Sequence, residues 1–314
     1  MVIQITATSR QDLPSIDVIS DVLRSIRLAG TLYFEAHLSA PWAIDIANSG
    51  FANFHHVTTG SCWVRFEGGP WSEVREGETI VFPHGATHSL CHEQGNRAVD
   101  GRSLLDRVDD DGVVRLGGQG AQTTIVCGHF SYDRELSHPL LSALPDVIRG
   151  EAGRYPGWTN LAQLAVARSA GLAPGRQALT DRLAEVLLIE LLTELEDGQV
   201  GFLRALADPT VAAALHAIHA NPAHPWTVAD LAAHVAASRS TLAGRFTELV
   251  GESPIRYLTR WRMHQAGHLL RDTTLPAARV AELVGYSTPF SFTKAFVREL
   301  GVPPTVYRDR SPGP

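Results

Sequence analysis

The chain has 314 residues, 44% of them hydrophobic and 19% charged, ordinary values for a globular protein with room for two cored domains. The opening MVIQITATSRQDLP lacks a basic start and an apolar run. No stretch approaches eighteen consecutive apolar residues, so the expectation is a cytoplasmic chain with no leader and no membrane span. The net charge of −6 is unevenly spread: residues 1–206 carry 16 Arg against 25 acids, whereas residues 207–308 carry 10 Lys and Arg against 7 acids. A basic C-terminal end points modestly to an anionic partner there, although so small an excess also arises by chance.

From the N-terminus, short apolar runs rich in Phe, Trp, Val and Ile alternate with turns, as in TLYFEAHLSA, CWVRFEGG, ETIVFPHG and TTIVCGHF. Such spacing predicts an all-β sandwich or barrel over residues 1–138. From about Pro139 the chain turns Ala- and Leu-rich, and residues 139–206 read as a helical linker. Within it, Leu179 to Leu195 is apolar around most of its circumference and must be covered on more than one side. That cover is either its own domain or a dimer seam, with Leu187–Leu191 at its centre. Gly198 to Gly201 reads as a hinge, and Asp208-Pro209 opens the last domain with an N-cap and a first-turn proline.

The C-terminal segment contains an internal repeat. Leu242, Phe246, Gly251, Pro254 and Tyr257 recur fifty residues on as Phe292, Phe296, Gly301, Pro304 and Tyr307. Upstream, Leu231, Ala232 and Val235 recur forty-nine residues on as Val280, Ala281 and Val284, so one copy has a turn longer by one residue. Each copy reads as helix, tight turn, helix. Thr227 caps the first and Pro276 starts the second, while Gly251 and Gly301 stop the second helices. Leu242, Phe246 and Leu249 point inward, as do Phe292, Phe296 and Leu300. A connecting helix of roughly 18 residues, about 27 Å long, holds the copies apart by nearly one turn of DNA, ~34 Å.

Residues 207–308 with this repeat, down to the closing GVPPTVYR, resemble the DNA-binding domain of the AraC/XylS family of bacterial regulators. The resemblance implies tandem helix-turn-helix units that bind double-stranded DNA, with base-reading helices over 239–250 and 289–300. It places Arg239, Ser240, Ala243 and Gly244 at the groove in the first, and Thr288, Pro289, Phe290, Ser291 and Lys294 in the second. Arg239, or Arg245 adjacent to Gly244, is the expected phosphate contact, and Arg298 is a further DNA-binding candidate. Gly244 departs from the family pattern, which carries a long polar or basic residue there. Its counterpart Lys294, the chain's only lysine, keeps a donor. A promoter-bound homodimer that contacts RNA polymerase is the implied assembly.

Gly77, Pro83, Gly85 and His88 fit G(x)5PxG(x)2H, so the first half resembles a cupin sensor domain for an unknown small-molecule effector. Overall the expected class is α+β multidomain: a cupin-like barrel over 1–138, a helical dimerisation segment over 139–206, and a helix-turn-helix domain over 207–314. His55, His88, Cys127 and His129 are the candidate ligands for zinc in the barrel. His55 and His56, adjacent on a strand, cannot both enter one site. Cys62, Cys91 and Cys127 are a candidate redox switch, provided one is exposed with a lowered pKa. The competing readings are a cupin-type metalloenzyme with an appended helical domain and a purely architectural DNA-bending protein. Neither explains both halves: the stretch Phe54 to Gly60, a partial match to the first cupin motif, has histidines but no metal-binding glutamate, and a bending protein has no use for an acidic barrel.

Overall fold

A computed structural model describes residues 17–25, 29–131, 138–142, 144–151, 176–194 and 201–309. The expected hinge at 198–200 lies outside them. The chain divides into two compact units, one of β-sheet and one of helices.

The β unit spans residues 29–134 and 140–200, and strands dominate it because β-branched and aromatic residues alternate between glycine turns. One sheet runs β11 (Ile148–Gly150), β6 (Thr79–Phe82), β3 (Ala52–Thr59), β10 (Gln122–Ser131), β1 (Ala29–Ser39), β9 (Val113–Gly117). The other runs β5 (Trp71–Arg75), β4 (Ser61–Phe66), β7 (His88–Cys91), β2 (Ala43–Ile46), β8 (Val99–Asp100). Phe34, Leu38, Ile44, Val64, Phe82, Leu90 and Ile125 share one core between the two sheets. A short helix, α2 (Arg102–Leu105), adds Leu104 to that core. The motif glycines Gly77 and Gly85 both take positive φ, and a Cβ on Gly85 would stand 2.5 Å from the Phe51 carbonyl oxygen. Only glycine makes that turn.

The dimer-seam candidate forms α4 (Arg176–Glu194), which lies against β1 and β10; the turn helix α3 (Pro139–Ser142) precedes it. Leu183 and Leu188 are buried, whereas Leu179, Val186 and Ile189 are exposed. The side chains of Leu187 and Leu191 lie outside the described residues.

The helical unit holds α5 (Gly201–Ala207), α6 (Pro209–Ala220), α7 (Val228–His234), α8 (Arg239–Val250), α9 (Pro254–Asp272), α10 (Ala277–Leu283), α11 (Pro289–Leu300) and α12 (Pro304–Asp309). Besides α5, two segments from outside the expected 207–314 belong to it as well. These are α1 (Val18–Ser25), which packs on α6 and α9, and the stretch around His138. The compact units thus group residues 138–139 and 201–206 with the helices. The physical reason is that His138 enters the helical core: its Nε2 lies 3.2 Å from the Tyr257 hydroxyl, which is 2.8 Å from His219 Nε2. Asp21 of α1 approaches the far side of His219 at 3.4 Å, an ion-pair distance without hydrogen-bond alignment.

Candidate nucleic-acid interface and barrel cavity

The two helix-turn-helix units are the same object built twice. Thr227 caps α7 in a reciprocal box: its Oγ1 accepts from the Asp230 N–H at 3.1 Å, and its own N–H donates to the Asp230 carboxylate at 3.0 Å. Ser238 and Thr288 cap α8 and α11 by accepting from the Thr241 and Ser291 amides, at 3.1 and 3.2 Å. Gly251 and Gly301 end those helices in the left-handed conformation, φ 85° and 74°. The tight turns also match: Ala236 and Gly285, forty-nine residues apart, have φ 52° and 86°. The second turn then needs glycine for space, because a Cβ on Gly285 would meet the Ala223 carbonyl oxygen at 2.5 Å.

Burial follows the repeat. Leu242, Phe246, Phe292, Phe296 and Tyr307 are fully buried, and Tyr257 nearly so. Leu249 and Leu300, expected inside, are only half-buried; Val250 and Ala295 are buried instead. The connecting helix α9 has 19 residues, so it is about 28 Å long.

The opposite face of each recognition helix is free. Arg239, Ser240 and Gly244 on α8 are exposed with Ala243 half-buried, and Pro289, Phe290, Ser291 and Lys294 are exposed on α11. Phe290 is 80% exposed, an unusual state for so large a ring and one suited to contact with a thymine methyl. Arg239 and Lys294 have no ion-pair partner among the described residues. Arg245 and Arg298 differ. Arg298 pairs with Glu299 at 2.9 Å. Arg245 pairs with Asp208, whose carboxylate also caps α6 by accepting from the Thr210 and Val211 amides. Thr288 spends its hydroxyl on the helix cap.

Open space surrounds Gly244: a Cβ there meets nothing within 4 Å. Gly244→Arg therefore adds a donor in register with Lys294 and removes a helix-interior glycine, about 1 kcal/mol unfavourable against alanine. Thermal unfolding should move up and DNA affinity should rise, with the salt slope steeper by about 0.9 if the new group meets phosphate. Lys294→Ala should weaken binding. Loss of binding in Gly244→Arg would mean that DNA backbone approaches this position too closely for a side chain.

In the β unit, the sequence candidates for zinc arrange themselves differently from expectation. His88 Nδ1 lies 2.8 Å from the Ala86 carbonyl, which can only accept, so that nitrogen carries the proton. Burial holds the His88 pKa down at about 4, so the ring is neutral and its Nε2 accepts. His55 Nε2, 2.9 Å away, must then donate to it. His55 is neutral too, its pKa pushed well below the usual range by burial and by His88. Its Nδ1 is left to accept from the Cys127 thiol at 3.3 Å. The result is a proton-ordered line, Cys127 to His55 to His88 to Ala86. Both His55 nitrogens are used within the line, so the three side chains do not aim at a common point. His129 stacks between Tyr33 and Phe51, with ring centroids 4.8 and 4.6 Å away. Among the described residues no three His, Cys, Asp or Glu side chains are gathered to hold a metal ion. The four zinc candidates are thus not gathered at one point among the described residues. His56 faces away as expected, against the Thr79 hydroxyl at 2.8 Å.

The redox expectation also fails its own condition. Cys62, Cys91 and Cys127 are all buried free thiols. Burial raises Cys62 to about 12, Cys91 to about 11 and Cys127 beyond the ordinary thiol range, so none is a thiolate near neutral pH. Cys91 pairs across the sheet with Trp63, the neighbour of Cys62, so Cys62 and Cys91 point to opposite faces.

What the β unit does possess is a cavity of about 380 Å³. Phe34, Ile44, Leu90 and Leu104 wall it, Phe51 and Leu105 stand part-exposed beside it, and His55 and Cys127 also line it.

Comparison with known proteins agrees with both units. A family described as Cupin matches residues 17–196, and one described as Helix-turn-helix domain matches residues 231–310. An AraC-like transcription regulator of Streptomyces antibioticus is 34% identical over 299 residues, which is 93% of this chain and 98% of that protein. The HTH-type transcriptional regulator AlkR of Acinetobacter baylyi is 29% identical over 306 residues, 94% of this chain and all of its own length (100%). The solved DNA-binding domain of AdpA, in complex with a target DNA, is 32% identical and covers 32% of this chain and 90% of its own, with a TM-score of 0.31.

Proposed function

Because the chain belongs to the AraC-like family of transcription regulators, DNA-binding proteins here carrying a cupin domain, we propose that it acts as a homodimer whose barrel cavity takes a small-molecule effector. In this reading each chain lays α8 and α11 into two major-groove faces of operator DNA. Arg239, Ser240, Ala243 and the bare Gly244 meet the first face. Pro289, Phe290, Ser291 and Lys294 meet the second, with Phe290 on a thymine methyl and Lys294 on a guanine or phosphate. Arg245 and Arg298 meet phosphates only by exchanging Asp208 and Glu299 for them. Work on promoter DNA puts the protein in the cytoplasm, with RNA polymerase as its downstream partner.

The observation that carries the reading is the twofold repetition of an exposed helix face, in one register, above buried cores at corresponding positions. Support for the dimer comes from α4. Leu183 and Leu188 are buried on that helix, while Leu179, Val186 and Ile189 stay exposed around it and leave apolar surface for a partner to cover. The double variant Val186→Glu/Ile189→Glu should sediment as a monomer where the wild type is a dimer at micromolar concentration, and should bind a two-site operator at least tenfold more weakly. A wild type that sediments as a monomer refutes the seam.

A further inference from the structure

The chemistry of the barrel cavity narrows what can occupy it. Among the described residues no Asp or Glu lines it, so an organic cation would find no counter-charge there. Its walls are mostly aliphatic and aromatic, and its buried polar side chains are already engaged: His55 with Cys127, and the Asn53 amide, which donates to Ser49 Oγ at 3.0 Å. A sugar, with a hydroxyl on every carbon, would leave most of its hydrogen bonds unmade. Among the described residues one cationic group lines the cavity: Arg102 on α2, exposed and with no ion-pair partner there. The volume of about 380 Å³ is between two and three times the roughly 150 Å³ that takes one benzene.

We propose that the cavity binds a largely apolar organic molecule of about ten to fifteen non-hydrogen atoms bearing a single terminal oxygen acceptor. The apolar body lies among Phe34, Ile44, Leu90 and Leu104, and the oxygen end meets the Arg102 guanidinium. This rests on the sensor reading above and gives that sensor its ligand class.

Calorimetry on the full-length protein tests it with linear 1-alkanols from hexanol to dodecanol, decanoate, decylammonium and glucose as probes. Alkanol affinity should rise about fourfold per methylene, the value expected for burying each CH2, and stop rising once the cavity is full. A surface patch would show no such limit. Binding should carry a negative heat-capacity change. Decanoate should bind at least tenfold more tightly than decylammonium, and Arg102→Gln should remove that preference. Ala47→Trp, placed at an exposed lining position, should lower affinity for every alkanol at least tenfold while leaving DNA binding without probe unchanged.

Glucose or decylammonium binding as tightly as decanol would overturn the class, as would alkanol affinities indifferent to Ala47→Trp. DNA affinity measured on the same samples separates this failure from that of the sensor reading. Alkanols that bind in the cavity without changing DNA affinity would refute the sensor and leave the ligand class standing. Glucose that shifts DNA affinity where alkanols do not bind would refute the class and leave the sensor standing.

Discussion

Lowering the pH from 7 to 5 should strip several kcal/mol from the stability of both units. His56 and His88 in the barrel and His219 in the helical unit are held neutral by burial, with pKa values lowered to about 4. For His219 the nearby Asp21 carboxylate pulls the other way and does not prevail. In the unfolded chain each would titrate near 6.5. A histidine depressed on folding binds its proton more readily when unfolded, so its contribution is complete above pH 6.5 and is lost as the pH falls toward 4. Between pH 7 and 5 the loss is about 2 kcal/mol for each group, hence about 4 kcal/mol for the barrel and about 2 kcal/mol for the helical unit. His55 and His138, both also pushed well below the usual range, act in the same direction. Against a typical total of about 5–15 kcal/mol this brings unfolding within reach of mild acid. Urea titrations followed by circular dichroism at pH 7, 6 and 5 measure it. His219→Gln, keeping a partner for the Tyr257 hydroxyl, should lessen the dependence in the helical unit by about 2 kcal/mol and leave the barrel's unchanged, the remainder coming from His138. A free energy unchanged between pH 7 and 5 would show that these rings do not stay neutral in the folded protein.

The same buried groups mark where sequence reading succeeds and where it stops. The helix-turn-helix pair was legible because everything that defines it is local. Caps stand next to their helices, left-handed glycines close them, and core residues recur at 49 and 50 positions because the second turn has one extra residue between Val284 and Thr288. The barrel motif was legible for the same reason, since Gly77 and Gly85 answer to turns of their own neighbourhood. The line from Cys127 through His55 to His88 was not. Its residues were identified, but whether two rings and a thiol converge on a metal or stand in file depends on register and rotamer across β3, β7 and β10. Nor was the place of His138 legible. It precedes a proline at a boundary without periodicity, and its partners Tyr257 and His219 lie 119 and 81 residues downstream in the chain. Asp21 and α1 are similar: a short amphipathic segment says that it must pack, not on what.

One measurement bears most directly on the central claim, that α8 and α11 bind operator DNA through exposed cationic and polar side chains. It is the affinity of the full-length protein for a labelled duplex from upstream of its own gene, by fluorescence anisotropy, from 50 to 200 mM salt. Arg239 and Lys294, unpaired among the described residues, represent two counterion-releasing contacts per chain. Arg245 and Arg298 make four if they exchange Asp208 and Glu299 for phosphate. With a slope of about −0.9 per contact, the fourfold salt change should weaken binding between about tenfold and about hundredfold for each bound chain. Lys294→Ala should lower the slope by about 0.9 if that contact is to phosphate, and should relax preference at one base pair by ~1–3 kcal/mol if it is to a base. Affinity that does not change with salt, or that Lys294→Ala and Arg239→Ala leave untouched, would contradict the assignment of these two helices as the DNA-reading surface.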